Sequence, residues 1–374
     1  MVTLAKPITI VVNASAARES GALTILSQFV AHLSTRNDLK LFIVFISEKV
    51  SFPMIDNVQF VQVNTETWGK RISWDFSGLK TWLRDRRIVP DLVISFQNMG
   101  VNIATSIPQL VYYHQPMSLG VHKWNPFKSE ERLYFLYEKI YPIFVRAYLK
   151  RVNKVIVQRE SMKAAFAQKF NFDPKNVIVL RPDIPDFSFE GVEPVVFHDD
   201  KVHMMYVATP LIYKNHMVLV EALDLLKSQG VDNLIIHLTC EFDNKLPFVR
   251  DIISKGLTDH FVFEGKMTFN QMLRYYLGIK ALLFPSYIET FGLPLIEAAS
   301  AGIPVICSNL PYTHEVLSGY KGAVYVSYND SRSWALAIKQ ILVSNEHYKP
   351  FAQASESDWH QLFIIVDELT SRDY

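Results

Sequence analysis

Short apolar runs rich in Val, Ile, Leu and Phe recur along the chain, separated by stretches in which apolar residues return every three or four positions. The first pattern belongs to strands buried on both faces and the second to amphipathic helices. Their alternation predicts βαβ units around mostly parallel sheets. Apolar runs place strands at 8–12, 39–46, 59–64, 91–96, 109–114, 154–158 and 177–180. The first helix is predicted at 21–33, where Leu23, Leu26, Phe29, Val30 and Leu33 share one side. At 181–201 the sequence RPDIPDFSFEGVEPVVFHDDK shows neither period and is rich in Pro and Asp, a linker pattern. A second series then places strands at 203–208, 233–239, 260–264, 281–284, 304–308 and 323–326, with helices at 215–227, 269–277 and 332–343. The economical reading is an α/β chain of two Rossmann-like domains, 1–182 and 201–350, joined by a linker at 183–200. An amphipathic helix at 355–372, within a terminal segment 351–374, is expected to pack back on the first domain. In such folds ligands collect at the carboxyl ends of strands, here in a cleft between the two domains.

Composition narrows the partners. The 374 residues exceed the usual size of one hydrophobic core, in keeping with two domains. Basic and acidic residues balance at 38 and 37, so nothing draws the chain to nucleic acid and any cationic site must be local. The two cysteines, Cys240 and Cys307, lie far apart and no Cys/His cluster has metal-ligand spacing. A reducing compartment and a site without resident metal or cofactor are expected. No apolar run approaches the ~18 to 20 residues that span a bilayer. The apolar stretch at 8–12 is shorter than the ~7 to 15 residues of a signal core, and reads as a first strand of a cytoplasmic protein.

The most informative segment is ALLFPSYIETFGLPLIEAASAGIPVICSN, residues 281–309. It reads as a strand, a loop at 285–293, a short helix opening at Pro294 and ended by Gly302, and a further strand. Glu289 falls on the loop and Glu297 in the first turn of the helix, both at the carboxyl end of a strand, with helix-start amides beside Gly292 suited to phosphate oxygens. Two carboxylates eight apart mean little alone. In the context FGLP-L-I-E-A-A-x-A-G-x-P-V, the segment closely resembles the E-x7-E signature of retaining nucleotide-sugar glycosyltransferases of the GT-B fold, above all glycosyltransferase family 4. That resemblance implies two Rossmann-like domains facing each other across a cleft. It implies that Glu289 contacts the donor sugar near the reacting centre. Thr290, Phe291, Gly292 and Leu293 then bind sugar hydroxyls and phosphate, and Glu297 accepts hydrogen bonds from the ribose.

Other segments match the family position by position. MMYVATPLIYKNHMVLVEAL, residues 204–223, resembles its G-R-L-x-x-x-K-G element, with Lys214 in the place of the lysine that neutralises the leaving diphosphate. The arginine of that element is replaced by Thr209, so one cation is missing, and Arg18 is the candidate to supply it. The loop after the first strand, with Gly21 at its end, corresponds to the family's glycine-containing loop. His114, closing the strand 109–114, matches a histidine near the donor sugar, with Gln115 beside it. FEGKM, residues 263–267, matches the segment that receives the nucleobase around Lys266 and Met267. Arg159, at a strand end, is either a phosphate or acceptor contact or an ordinary surface arginine.

The resemblance therefore implies transfer of a sugar, with retention and without metal, from a nucleotide sugar (UDP-linked in preference to GDP-linked) to a glycan hydroxyl. The absence of any Asp-x-Asp motif agrees with metal-independent chemistry. The acceptor implied is a polyprenyl-diphosphate-linked glycan of O-antigen, capsule or lipopolysaccharide biosynthesis. Residues 121–154 interleave Trp, Tyr and Phe with Lys and Arg, and Pro142 interrupts their helical pattern. They read either as a peripheral surface for the cytoplasmic face of the inner membrane or as a core-packed helix pair. Two other readings stand beside the transferase: a GT-B sugar-nucleotide epimerase or phosphorylase, and a non-catalytic sugar-nucleotide-binding subunit.

Overall fold

A computed structural model describes residues 7–36, 40–184, 187–344, 346–351 and 357–371. Among the described residues thirteen strands form where the apolar runs lie. They are β1 (Thr9–Asn13), β2 (Leu41–Ser47), β3 (Val58–Val63), β4 (Leu92–Ser95), β5 (Gln109–Tyr112), β6 (Lys154–Val157) and β7 (Val177–Val179), then β8 (Val202–Tyr206), β9 (Leu234–Leu238), β10 (Phe261–Phe263), β11 (Ala281–Phe284), β12 (Val305–Ser308) and β13 (Ala323–Val326). Position 39, the expected start of β2, and positions 355, 356 and 372 of the last expected helix fall outside the described residues.

The chain forms two compact units. The first holds the described residues up to 127, from 132 to 183 and from 357 onward; the second holds 128–131 and those from 184 to 351. In the first, a parallel sheet runs β3-β2-β1-β4-β5-β6-β7, with Val11 opposite Ile43 on one side and Val93 on the other. The second sheet, also parallel, runs β10-β9-β8-β11-β12-β13. Both orders reverse once, between β1 and β4 and between β8 and β11. These are the topological switch points at which such sheets open toward ligands.

Burial on both faces explains the near-continuous apolar strands: every residue of β1, β9, β11 and β12 is buried. The helix Ser20–Ser34 buries Leu26, Phe29, Val30 and Leu33 against the first sheet. The helix Trp359–Thr370, last in the chain, adds Trp359, Leu362, Phe363 and Val366 to that same core.

Two expectations are corrected. The segment read as a linker clusters with the second unit from Ile184 onward, and part of it docks there. Val195 donates its N–H to the Arg274 carbonyl (3.0 Å), Arg274 Nε donates to the Glu193 carbonyl (3.1 Å), and the Phe197 ring stacks on His203 at 3.6 Å. Backbone pairing to a helix leaves no periodicity in the segment itself, which is why it resembled a tether. Nor does Pro142 interrupt its helix. Arg132–Phe135, a π-helical turn Leu136–Ile140 and Tyr141–Leu149 follow one another without a break, and Pro142 sits in the first turn after the π segment. Proline lacks an N–H, and the lost bond falls where the hydrogen-bond pattern changes from π to α, just after the Tyr141 N–H bonds the Leu136 carbonyl.

Candidate functional site

The second unit builds one half of the site at its switch point. After β8 the chain makes a short 3-10 turn, Ile212–Lys214, and then enters the left-handed region at Asn215 (φ 59°) to open the helix His216–Ser228. Asparagine tolerates that conformation better than most residues. The Asn215 Nδ2 donates to the carbonyls of Pro285 (3.3 Å) and Tyr328 (2.7 Å), tying the loop after β8 to those after β11 and β13. Tyr287 N–H and Ser286 Oγ both donate to the Tyr213 carbonyl, at 3.0 and 3.3 Å. The Tyr206 hydroxyl, at the end of β8, donates to the Lys214 carbonyl. Held this way, Lys214 Nζ forms an ion pair with Glu289 Oε1 across loops 75 positions apart, the side chains only 16% and 11% exposed.

Beyond Glu289 the loop turns at Gly292, whose φ of +87° disfavours any side chain and whose Cβ would stand 3.1 Å from Leu295 Cδ1. The helix Leu293–Ser300 follows, with Pro294 in its first turn. Thr290 and Leu293 are half-buried and Phe291 is buried. Glu297 is the fifth residue of the helix and not the fourth, at the start of its second turn, because the helix opens at Leu293. The Tyr276 hydroxyl donates to its Oε2 at 2.7 Å. Burial raises the Glu297 carboxyl pKa, and the Tyr276 hydrogen bond pulls it back down. Tyr276→Phe removes only the lowering contribution, so the carboxylate protonates at higher pH. We expect the acid limb of the donor KM profile to move toward neutrality and KM at acidic pH to rise about tenfold, checked by KM measured from pH 5 to 8. An unmoved limb would mean that Glu297 does not carry donor binding.

Thr209, where the family carries arginine, is exposed. In the segment after β10, Lys266 is exposed and Met267 half-buried. Glu264 anchors that segment: His237 Nδ1 lies 2.6 Å from its Oε1, and His237 Nε2 lies 2.8 Å from His203 Nδ1, whose Nε2 meets Asp199 at 2.7 Å. The hydrogen bond from His237 holds the Glu264 carboxyl below its ordinary range.

The first unit carries a polar centre at its own switch point. Asn13, ending β1, donates Nδ2 to Asp75 Oδ1 (2.9 Å) and accepts from Ser15 Oγ (3.0 Å) and Trp74 Nε1 (3.2 Å). His114 follows β5, and its N–H donates to Asn98 Oδ1 at 2.6 Å. Burial, with the nearby Arg71 charge adding to it, pushes the His114 pKa down to about 4, so the imidazole is neutral at pH 7. It lines a cavity of about 160 Å³ with Gln97, Asn98, Gln115, Ala16 and Arg71. The Gln97 Oε1 and His114 Nδ1 are buried there without a partner among the described residues. Gln115 Oε1 accepts from the Met117 N–H at 3.1 Å. Arg18 donates to the Glu66 carbonyl (3.0 Å) and Thr65 Oγ1 (3.3 Å), bracing the loop after β1. A Cβ built on Gly21 meets no atom within 4 Å, so the protein itself makes no steric demand for glycine there. Arg159 is no surface residue: it is 4% exposed, precedes the helix Glu160–Phe170, and does not line the cavity.

The structure thus joins Lys214 to Glu289, sets 290–293 and Glu297 on the turn and helix that follow, and gathers His114 and Gln115 in a separate polar cavity of the first unit. Sequence reasoning missed Asn215, Tyr206, Tyr276, Asp75, Arg71 and the His203–His237 pair. Only Asn215 carried a signal, an asparagine immediately before a helix.

Two parallel sheets of this order, with charged loops at the second switch point, make this an α/β fold of the GT-B glycosyltransferase kind. Residues 192–358 match the family model "Glycosyl transferases group 1". The O-antigen chain mannosyltransferase RfbU of Salmonella typhimurium is 26% identical over 253 residues, 67% of each chain. Among solved structures, the fold resembles WaaG, a glycosyltransferase involved in lipopolysaccharide biosynthesis (TM-score 0.63, 15% identity, 90% of this chain and 91% of that one). It also resembles Anabaena HepE in complex with UDP and glucose (TM-score 0.65, 13% identity, 98% and 100% of the two chains).

Proposed function

We propose that the protein is a retaining, metal-independent glycosyltransferase that moves a sugar from a UDP-sugar to a hydroxyl of a polyprenyl-diphosphate-linked glycan, in O-antigen, capsule or lipopolysaccharide assembly. The observation that carries the reading is the Lys214–Glu289 pair at the second switch point, beside the Gly292 turn and within the residues that match the group 1 glycosyltransferase model. An ammonium has three donors. Lys214 keeps one on Glu289 and offers the others to the donor diphosphate, whose charge grows as the glycosidic bond breaks. Glu289 then stands beside the sugar, and the amides at Gly292 and Leu293 face the phosphates. Glu297, held by Tyr276, takes the ribose hydroxyls, and the segment at Lys266 and Met267 takes the base. With the acceptor hydroxyl on the leaving-group face, the departing phosphate accepts its proton. The neutral His114 orients a sugar by hydrogen bonding and adds no charge.

No helix among the described residues is long and apolar enough to cross a membrane. Leu133, Leu136, Ile140, Ile143 and Phe144 nevertheless project as exposed apolar side chains from the rod 132–149, near Lys139, Arg146 and Lys150. That pattern supports peripheral attachment to an anionic leaflet.

The test is a panel of nucleotide sugars, following nucleoside diphosphate release with and without a lipid-linked glycan acceptor, in the presence of EDTA. Acceptor-dependent release with an α-to-α or β-to-β product supports the reading. Isomerised sugar without acceptor would mean an epimerase, sugar release by free phosphate a phosphorylase, and tight binding without turnover a non-catalytic subunit. Flotation with anionic vesicles checks the membrane part, which fails if the protein stays at the bottom of the gradient.

A further inference from the structure

Two helical rods of the first unit, 68–85 and 132–149, each contain one π-helical turn, Trp74–Gly78 and Leu136–Ile140. A π turn inserts one residue into the helical register and is found disproportionately at functional sites. Here the two turns contribute Phe76 and Tyr137 to one apolar groove, completed by Ile72, Tyr141, Phe144 and Tyr148. The groove and the polar cavity of His114 share three lining residues, Arg71, Tyr137 and Tyr141, so they adjoin along that line.

Among the described residues lining either space, Arg71 is the one Lys or Arg. Its Nε lies 3.9 Å from Asp75 Oδ2, an ion pair too long to be a hydrogen bond, while Asp75 Oδ1 is already occupied by Asn13 Nδ2. The guanidinium therefore keeps its planar donor fork for an incoming acceptor, the geometry that suits a phosphate. Burial raises the Asp75 carboxyl to about 6, so at pH 7 it is still mostly ionised and attracts Arg71 across a gap too long for a hydrogen bond. On the polar side, the Gln97 Oε1 and His114 Nδ1, without partners among the described residues, suit sugar hydroxyls, which both donate and accept. On the other side the walls are aromatic and aliphatic.

Polar cavity, cation and apolar groove follow one another in the order sugar, phosphate and hydrocarbon. We infer that Arg71 binds the diphosphate of a prenyl-linked acceptor whose sugar enters the His114 cavity and whose chain lies along the Ile72–Phe76–Phe144 groove. This rests on the acceptor class proposed above and assigns it a site.

The test reads binding, not turnover. Farnesyl diphosphate, farnesol and inorganic diphosphate are titrated into the full chain by calorimetry, with UDP present throughout to occupy the nucleotide site. Farnesyl diphosphate is expected to bind more tightly than either of the others. Arg71→Ala weakens it about 10- to 100-fold while leaving farnesol unchanged, and Arg71→Lys recovers part of the loss. Phe144→Ser weakens both farnesyl probes. The assignment is overturned if Arg71→Ala, with an unaltered melting curve, binds farnesyl diphosphate like the wild type, or if farnesol binds as tightly as its diphosphate. Should the alanine variant fail to fold, Arg71→Lys and Phe144→Ser decide the question by the same titrations. A chain that transfers no sugar yet binds farnesyl diphosphate through Arg71 would sink the transferase reading alone. An active transferase indifferent to Arg71 would sink this site alone.

Discussion

Replacing Lys214 with alanine is expected to lower kcat by about 10²- to 10³-fold, the usual cost of removing one preorganised group that stabilises developing charge. The measurement is acceptor-dependent nucleoside diphosphate release at saturating donor, with a melting curve as control. The loss should fall on kcat more than on donor KM, because the leaving diphosphate carries more negative charge in the transition state than in the bound donor. With Thr209 exposed where the related motif places arginine, the second unit has no cation at that position to share the task. Lys214→Arg keeps the charge and should retain intermediate activity, although its fork cannot occupy the position of a compact ammonium. Glu289 supplies a second readout. Its carboxylate is 11% exposed and paired with Lys214, so Lys214→Ala removes the cationic partner of a largely buried charge. Adding Glu289→Gln to Lys214→Ala should recover melting temperature without recovering kcat, a non-additivity expected of residues in contact. If Lys214→Ala keeps kcat within about threefold of wild type, the lysine only holds Glu289 in place and the leaving-group assignment is wrong.

What the sequence disclosed and what it hid differ by the range of the interactions involved. Strands buried on both faces cannot avoid long apolar runs, so β1 to β13 and the two-sheet architecture were legible from periodicity. The Glu289 to Glu297 segment was legible for a related reason. A positive-φ glycine, a proline in the first helical turn and a loop acid are all local demands of one strand-turn-helix unit. Partners were not legible. Nothing around Tyr276 says that its hydroxyl reaches Glu297, and His203 and His237, 34 positions apart, read as core residues of separate strands. Asp75 and Arg71 were invisible because π turns shift the register on which helical-face arguments rely. The same limit produced the mistaken tether after Leu180, whose order comes from hydrogen bonds to a distant helix.

Trp359→Ala is the stability counterpart of the lysine experiment, expected to cost the first unit about 3–5 kcal/mol, as truncation of a buried tryptophan does. Trp359 has no exposed surface. Its ring lies 6.1 Å from Phe29 and stacks near Tyr112 at 6.0 Å and His32 at 5.9 Å, and its Nε1 donates to Gln28 Oε1 at 3.3 Å. Gln28 in turn exchanges two hydrogen bonds of 2.9 Å with the backbone of Asp183, while Asp358 accepts from Arg181 N and Nε at 3.0 Å. One side chain thus fastens the final helix to both the first helix and the segment that leaves β7. Alanine empties the centre of this cluster, and rigid neighbours on a sheet cannot collapse to fill it. For a unit of this size the loss corresponds to a fall in melting midpoint of about 6–20 °C. Calorimetry should show it in the transition of the first unit, with the second unit's midpoint and UDP binding unchanged, since the two-state description applies to each unit separately. Tyr112, stacked on Trp359, also lies 5.9 Å from the His114 ring, so the variant should raise KM for the acceptor before it affects the donor. A uniform fall of both midpoints, or a donor KM that rises with the acceptor's, would show that the terminal helix supports more than the core of the first unit.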